Sequence, residues 1–296
     1  MLTSLEEIES PKFAARARSA IGLIRRSKEM VIGLTMVGIF LVLALSVYIT
    51  GLFGARITPY NPIQNFVATP LLSPTWAHPF GTDSLGRDVF SRIIAATPTD
   101  MGVSLAVVAT AFIVGGILGA IAAYRSGILD EALMRITDVF FALPGLVLAM
   151  VVAVILGPGT INMMFVLMIL WWPVYARLSR GETLKVSHQN FIEAAKLSGM
   201  SSLKVIFRHI LPNIFLILLV YATLDIGTVV LVFSGLSYLG LAITPPAPDW
   251  GQMVNAYQDY MLRAPWLPIF PGLIIALGVI GFSLLGDGLR DIMEVR

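Results

Sequence analysis

Apolar residues fall into long runs along this chain, parted by short polar stretches rather than alternating with them. A helix needs about 20 mainly apolar residues to cross the hydrocarbon core of a bilayer. Six runs come near or pass that length, over 30–52, 100–124, 136–156, 161–178, 213–239 and 267–286. The fourth is short, and Pro173 in WWPVYARL predicts a kink or an early end to it. The fifth is long and is expected to break near Asp225, Gly227 and Gly235. In GGILGA, Gly115 and Gly119 stand four apart. That spacing either lets two helices approach closely or reflects the ordinary tolerance of membrane helices for glycine. Two intervening segments are long enough to hold structure of their own. Residues 53–98 contain ITPYNP and then HPFGTDSLGRDVFSR, and residues 240–266 contain ITPPAPDW, too rich in proline to continue a helix. No period of 20–50 residues marks a repeat array.

Composition agrees with the run pattern. The 296 residues are 57% hydrophobic and 13% charged, where soluble domains carry roughly 25% charged residues. The chain reads as an all-α integral membrane protein of six transmembrane helices. It has no cysteine, which excludes disulfides, thiolate catalysis, zinc–thiolate sites and iron–sulfur clusters. The start, MLTSLEEIESPKF, is polar and acidic, unlike a cleavable signal peptide. Six crossings place both termini on one side, and lysine and arginine identify it. With the N-terminus in the cytoplasm, sixteen basic residues lie inside and only Arg56, Arg87, Arg92 and Arg263 lie outside.

One inside segment departs from the greasy background: NFIEAAKLSGMSSLKVIFRHILP, residues 190–212. Helix formers run from Asn190 to Ser198, and Gly199 is placed for a left-handed C-terminal cap. Ser201 or Ser202 can cap a second helix, in which Leu203, Ile206, Phe207 and Ile210 share one face and Lys204 and Arg208 another. Pro212 then stands at the start of the fifth span, where its missing N–H costs little. The pattern describes a helix–turn–helix along the cytoplasmic membrane surface with its apolar side toward the bundle. On amphipathicity alone it is equally a linker between spans.

The order of residues adds more. The stretch resembles the cytoplasmic loop of binding-protein-dependent ABC importer permeases, whose pattern runs EAA, three residues, Gly, nine residues, Ile, one residue, Leu-Pro. Glu193, Ala194, Ala195, Gly199, Leu211 and Pro212 match it, and His209 stands where the pattern has Ile. The ending RHILPN is similar to the dipeptide/oligopeptide/nickel branch, as are HPFGTDSLGRDVFSR, DEALMRITDVFFALP, LSYLGLAITPPAPDWGQM and FPGLIIALGVIGFSLLGDGLRD. These look in particular like its second permease, and the resemblance runs from about residue 30 to the C-terminus.

The resemblance implies a type I ABC importer permease fold with both termini cytoplasmic. It divides the chain into an N-terminal cytoplasmic segment (1–29), a first transmembrane helix with a long extracytoplasmic loop (30–98), and a five-helix transmembrane domain (99–287) whose coupling loop is 185–212, followed by a cytoplasmic tail (288–296). It further implies that Glu193, Ala194, Ala195, Gly199, Met200, Ser201, Leu211 and Pro212 belong to an ATPase-coupling loop, with Glu193, Ala194, Ala195 and Gly199 at the contact with a cytoplasmic ATPase. The implied partners are a homologous second permease, two ABC ATPase subunits and an extracytoplasmic substrate-binding protein, within membrane lipid and with no nucleic acid. The implied cargo is di- or oligopeptides, with oligosaccharides as the alternative. Three histidines and no cysteine disfavour nickel.

Other chemistries find little support in the residues. There is no GK dipeptide and hence no phosphate-cradling Walker A loop, so ATP and magnesium are expected on partner subunits and no cofactor on this chain. His78, His188 and His209 are scattered without an HExxH, and GLSYLG lacks the spacing of a nucleophile elbow. A non-catalytic subunit is expected, in preference to a membrane enzyme, an exporter or a stand-alone secondary transporter. In GTDSLGRD, Asp83 is expected to cap a helix, with Asp83–Arg87 and Asp88–Arg92 as helix-surface ion pairs rather than calcium ligands. Asp225 reads as the one acid well inside a span. It either lines a translocation path or holds a neighbouring helix.

Overall fold

The computed structural model describes residues 27–294. Most of the 1–29 segment therefore lies outside the described residues. The described residues form helices joined by irregular segments, the longest over 53–88, with no strand among them beyond a single bridge between Thr82 and Asp88. This is what lipid demands, because a backbone amide with no water nearby must be satisfied within its own helix.

The first helix, α1, spans Lys28–Leu52 and is capped by Ser27, whose side chain accepts from the Met30 N–H at 3.2 Å. Leu34, Ile39, Val42 and Leu45 point outward from it, an apolar face suited to acyl chains. Val89–Arg125 (α2) is the central helix: 37 residues, about 55 Å at 1.5 Å per residue, well beyond the hydrocarbon thickness. Thr160–Ser187 (α5) packs against it more extensively than any other pair of elements. Gly115 and Gly119 set that contact. A Cβ at Gly115 would meet the Trp172 carbonyl and Tyr175, and one at Gly119 would sit on the Ala176 carbonyl. The spacing thus serves close packing, and Ser179 Oγ adds a bond to the Gly116 carbonyl at 2.6 Å. α5 runs through Pro173 without ending. Pro173 is buried against the bundle, and tertiary packing holds the helix across the missing N–H.

The run 136–156 is not one straight span. Ile128–Phe141 (α3) and Gly145–Leu156 (α4) meet at 86°. Pro144 accounts for the break, since its ring drives the preceding Leu143 out of helical geometry. α3 bears Asp130, Glu131, Arg135 and Asp138, and only the 12 residues of α4 are wholly apolar. Five helices are long and apolar enough to cross a membrane, or six if the bent pair counts as one.

The expected break in the fifth run is absent. Leu211–Tyr238 (α8) is continuous through Asp225, Gly227 and Gly235. It is preceded by Asn190–Leu197 (α6), Ser202–Val205 (α7) and a π-helical stretch, Ile206–Ile210. Trp250–Tyr257 (α9) lies between α8 and Trp266–Glu294 (α10), which packs on α1 and α8. Two apolar cores result. One joins α2, α4, α5 and α8 with the 190–210 segment, and the other joins α1, α2, α8, α9 and α10.

Gly119→Ala should separate α2 from α5, because the obstructing atoms are backbone rather than a side chain that can turn aside. Overpacking of this kind costs about 1–3 kcal/mol. The expected result is a lower thermal unfolding midpoint of the purified chain, with Gly102→Ala, which meets nothing within 4 Å, as the unaffected control.

Candidate functional site

The 190–212 segment forms a short capped knob at the end of α5. Its first helix, α6, ends in a Schellman arrangement: Met200 N–H bonds the Ala195 carbonyl at 3.3 Å and Gly199 N–H bonds the Lys196 carbonyl at 3.0 Å. Gly199 takes φ +78° with open space around it, so backbone conformation rather than crowding selects glycine there. Ile192 and Ala195 are buried in the bundle core, and Met200 packs against it. Lys196 Nζ sits 5.1 Å from the Tyr124 ring centroid, tying α6 to the end of α2.

The opposite face is exposed. Glu193, Ala194, Gly199 and Ser201 all reach the surface, beside Phe191 and Leu197, the latter 89% exposed. Of the eight residues assigned to the knob, Ala195 points inward, Met200 and Leu211 are half-buried, and Pro212 is exposed. Ser201 stands at the N-cap of α7 without a side-chain capping bond. The predicted inward stripe is only half realised: Ile206 and Ile210 are buried, with Val205 beside them, while Leu203 and Phe207 face out. The buried side is centred on Val205, Ile206 and Ile210, and Leu203 and Phe207, one turn apart, fall outside it. Leu211 N–H reaches back to the Ile206 carbonyl, and Asn213 Nδ2 bonds the His209 carbonyl at 2.5 Å. The widened turn lets Pro212 enter a helix that has already begun. His209 is half-buried, with its ring 6.4 Å from that of Phe191.

Charged groups fix the neighbouring elements. Arg180 grips Asp130 with two bonds, Nε to Oδ1 at 2.6 Å and Nη2 to Oδ2 at 2.7 Å. Arg177 bonds Asp138, donates to Thr137 Oγ1 at 3.1 Å and lies over the Phe141 ring at 4.3 Å. These contacts pin α3 to α5 just above the knob, a link that the sequence runs did not reveal.

Segment 53–88 folds over the opposite end of the bundle. Asp83 does not cap a helix. It closes a turn, accepting from the Leu85 and Arg87 N–H groups at 2.9 and 3.0 Å and pairing with Arg87 Nε at 2.7 Å. Tyr257 of α9 donates to it at 3.2 Å. Asp88 is the cap of α2, accepting from Ser91 N–H at 2.7 Å, and it pairs with His78 rather than Arg92. Arg92 instead donates to the Pro62 carbonyl at 2.8 Å. Among the described residues, no group of three or more histidine, aspartate or glutamate side chains is placed to hold a metal ion.

Asp225 is half-buried on α8, facing Tyr175 and Trp171 of α5, with no helix break near it. It is not the only acid within a span. Asp100 on α2 is wholly buried, and its position at the edge of an apolar run concealed this in the sequence.

This arrangement has a counterpart of known fold. The MetNI methionine ABC transporter, in an inward-facing structure, superimposes with a TM-score of 0.50 over 66% of this chain and 94% of that chain, at 20% identity. A bent-span helical bundle with a capped knob is thus the fold of a type I ABC importer permease. Residues 115–296 match the family described as binding-protein-dependent transport system inner membrane component, and the chain belongs to that family. It is therefore a multi-pass permease of the cell membrane. Curated relatives include a dipeptide transport system permease from Alkalihalophilus pseudofirmus, 36% identical over 94% of this chain and 90% of the relative. Glutathione transport system permeases from Pectobacterium atrosepticum and Escherichia coli are 38% and 39% identical, over 88% and 84% of this chain and 85% and 82% of theirs.

The Asp130–Arg180 pair, partly shielded and bidentate, should show a coupling of about 1 kcal/mol in a double-mutant cycle of Asp130→Ala and Arg180→Ala on thermal stability. The exposed Arg135–Glu131 pair, at 3.9 Å, should show none.

Proposed function

We propose that the chain forms half of the pore of an ATP-driven importer for di- and oligopeptides, with the 190–212 knob facing the cytoplasm and both termini on that side. The distribution of basic residues supports this sidedness. The observation that carries the reading is the capped knob: its inner face is locked into the core, and its outer face leaves Phe191, Ala194, Leu197, Leu203 and Phe207 exposed. A rigid apolar protrusion suits a groove on a cytoplasmic ATPase, and it transmits displacement where a loose loop would absorb it.

In this scheme two ATPase subunits bind ATP and magnesium, a homologous permease completes the pore, and an extracytoplasmic binding protein delivers cargo to the 53–88 end. This chain catalyses no bond cleavage. Glu193, Ala194, Gly199 and Ser201 contact the ATPase, and Ala195, Met200, Leu211 and Pro212 hold the knob in shape. Asp225 faces the translocation path, where its carboxylate meets the amino group of a passing peptide. The dipeptide and glutathione relatives support a peptide cargo.

The test is reconstitution in liposomes with the three kinds of partner, recording ATP hydrolysis and uptake for short peptides, glutathione, oligosaccharides and Ni²⁺. Stimulation by peptides alone is expected, and stimulation by sugars alone would overturn the cargo assignment. In the same system, Gly199→Val forces a β-branched residue to φ near +78° and should lower transport per ATP by about tenfold or more, whereas Gly199→Asn, tolerated in that region, should stay close to wild type. Equal coupling in both variants would remove the knob from the mechanism.

A further inference from the structure

Asp100 on α2 and Asp249 at the cap of α9 are each 0% exposed. Asp249 Oδ1 is well served: it accepts from Gln252 N–H at 2.8 Å and from the Ser237 hydroxyl of α8. Asp249 Oδ2 and both oxygens of Asp100 are buried without a well-formed hydrogen bond, with only the first backbone N–H groups of α9 beside them. The Asp100 carboxyl is directed at the start of α9, toward Asp249 and the Trp250 backbone. No cation among the described residues stands against either group. Among the described residues, the one ionisable side chain facing each is the other. Arg92, two turns earlier on α2, is engaged with the Pro62 carbonyl, and Tyr257, two turns along α9, with Asp83. α8 contributes the hydroxyl of Ser237 to this side of the pair.

Two buried carboxylates with acceptors turned toward each other leave three oxygens without a well-formed bond and two like charges without water. A single proton removes both problems, because a carboxyl donates to a carboxylate in a short, charge-assisted bond. We infer that Asp100 and Asp249 bind one proton between them, forming a carboxyl–carboxylate latch that fastens α9 and the 239–265 segment onto α2.

The latch has a definite pH sense. Burial raises the affinity of Asp249 for a proton. A carboxyl whose proton affinity is raised by folding contributes stability that is complete below the ordinary carboxyl pKa, about 3.9, and that is lost as pH rises through the folded value. Alkalinity on the side of the membrane facing 239–265 therefore loosens α9 from α2. The segment that α9 anchors contains the exposed Leu262, so the latch controls the presentation of that surface.

The test uses the full chain in lipid nanodiscs, with any subunits that copurify. The wild-type unfolding midpoint should fall by about 5 °C from mildly acidic to alkaline pH, relative to Asp100→Asn. In the variant, the amide donates to Asp249 at every pH, so its profile should be flatter. An infrared titration should show a protonated carboxyl band in the wild type that vanishes on alkalinisation and is missing from Asp100→Asn. Should that variant not fold, Asp249→Asn serves equally, because asparagine keeps the α9 cap. Parallel pH profiles for wild type and variant, with the same carboxyl bands, would overturn the latch. Rescue of the wild type at alkaline pH by Na⁺ or Ca²⁺, but not of the variant, would also overturn it, assigning the pair to a metal cation.

Discussion

The approach of α2 to α5 at backbone distance is the constraint from which much of the rest follows. Apolar side chains gain nothing by leaving lipid for one another, so helices in a bilayer are held by close packing and by hydrogen bonds between them. Gly115 and Gly119 supply the packing and Ser179, bonded to the Gly116 carbonyl, the hydrogen bond. That contact fixes the axial position of α5, and with it the arginines 177 and 180 that hold α3. It also fixes where α5 ends, and thus where the knob is mounted. The Tyr124–Lys196 contact closes the circuit by joining the last turn of α2 to α6.

Much of this architecture was legible in the run pattern, and the exceptions share a cause. The gross apolar lengths found the spans because lipid imposes a length requirement that leaves a composition signal. The local breaks were misjudged because they depend on what lies beside the helix. Pro173 and Gly227 carry the residue types that end helices in isolation, yet both are packed against neighbours that hold the backbone in place. Pro144 lies where an amphipathic helix meets an apolar one, with no such support, and there the chain turns by 86°. A hydropathy window sees residues 136–156 as uniform because it does not distinguish a face from a core.

The knob was legible for a different reason. Its cap and its motif are local, so a few residues in order specify them: Gly199 with its positive φ, and the helix formers before it. Which of its residues face outward was less accessible, because apolar residues lie on both sides of the second helix: Val205, Ile206 and Ile210 turn inward while Leu203 and Phe207 turn out. Asp100 was hidden in another way. A carboxylate at the edge of an apolar run looks like an interfacial residue until the helix is seen to begin eleven residues earlier, at Val89. Its partner lies 149 positions away in the chain, beyond any local pattern.

The absence of a break in α8 has a mechanical consequence. Twenty-eight residues of continuous helix make a rod about 42 Å long. Its lower end is the π-helical joint that carries the knob, and its upper end holds Ser237, bonded to the cap of α9. A rod of this kind is stiff in bending. Gly227, set close to the Val279 carbonyl of α10, lies between the two ends. The knob and the cap of α9 are therefore the two ends of one unbroken backbone ladder, with no hinge in between to take up a displacement separately.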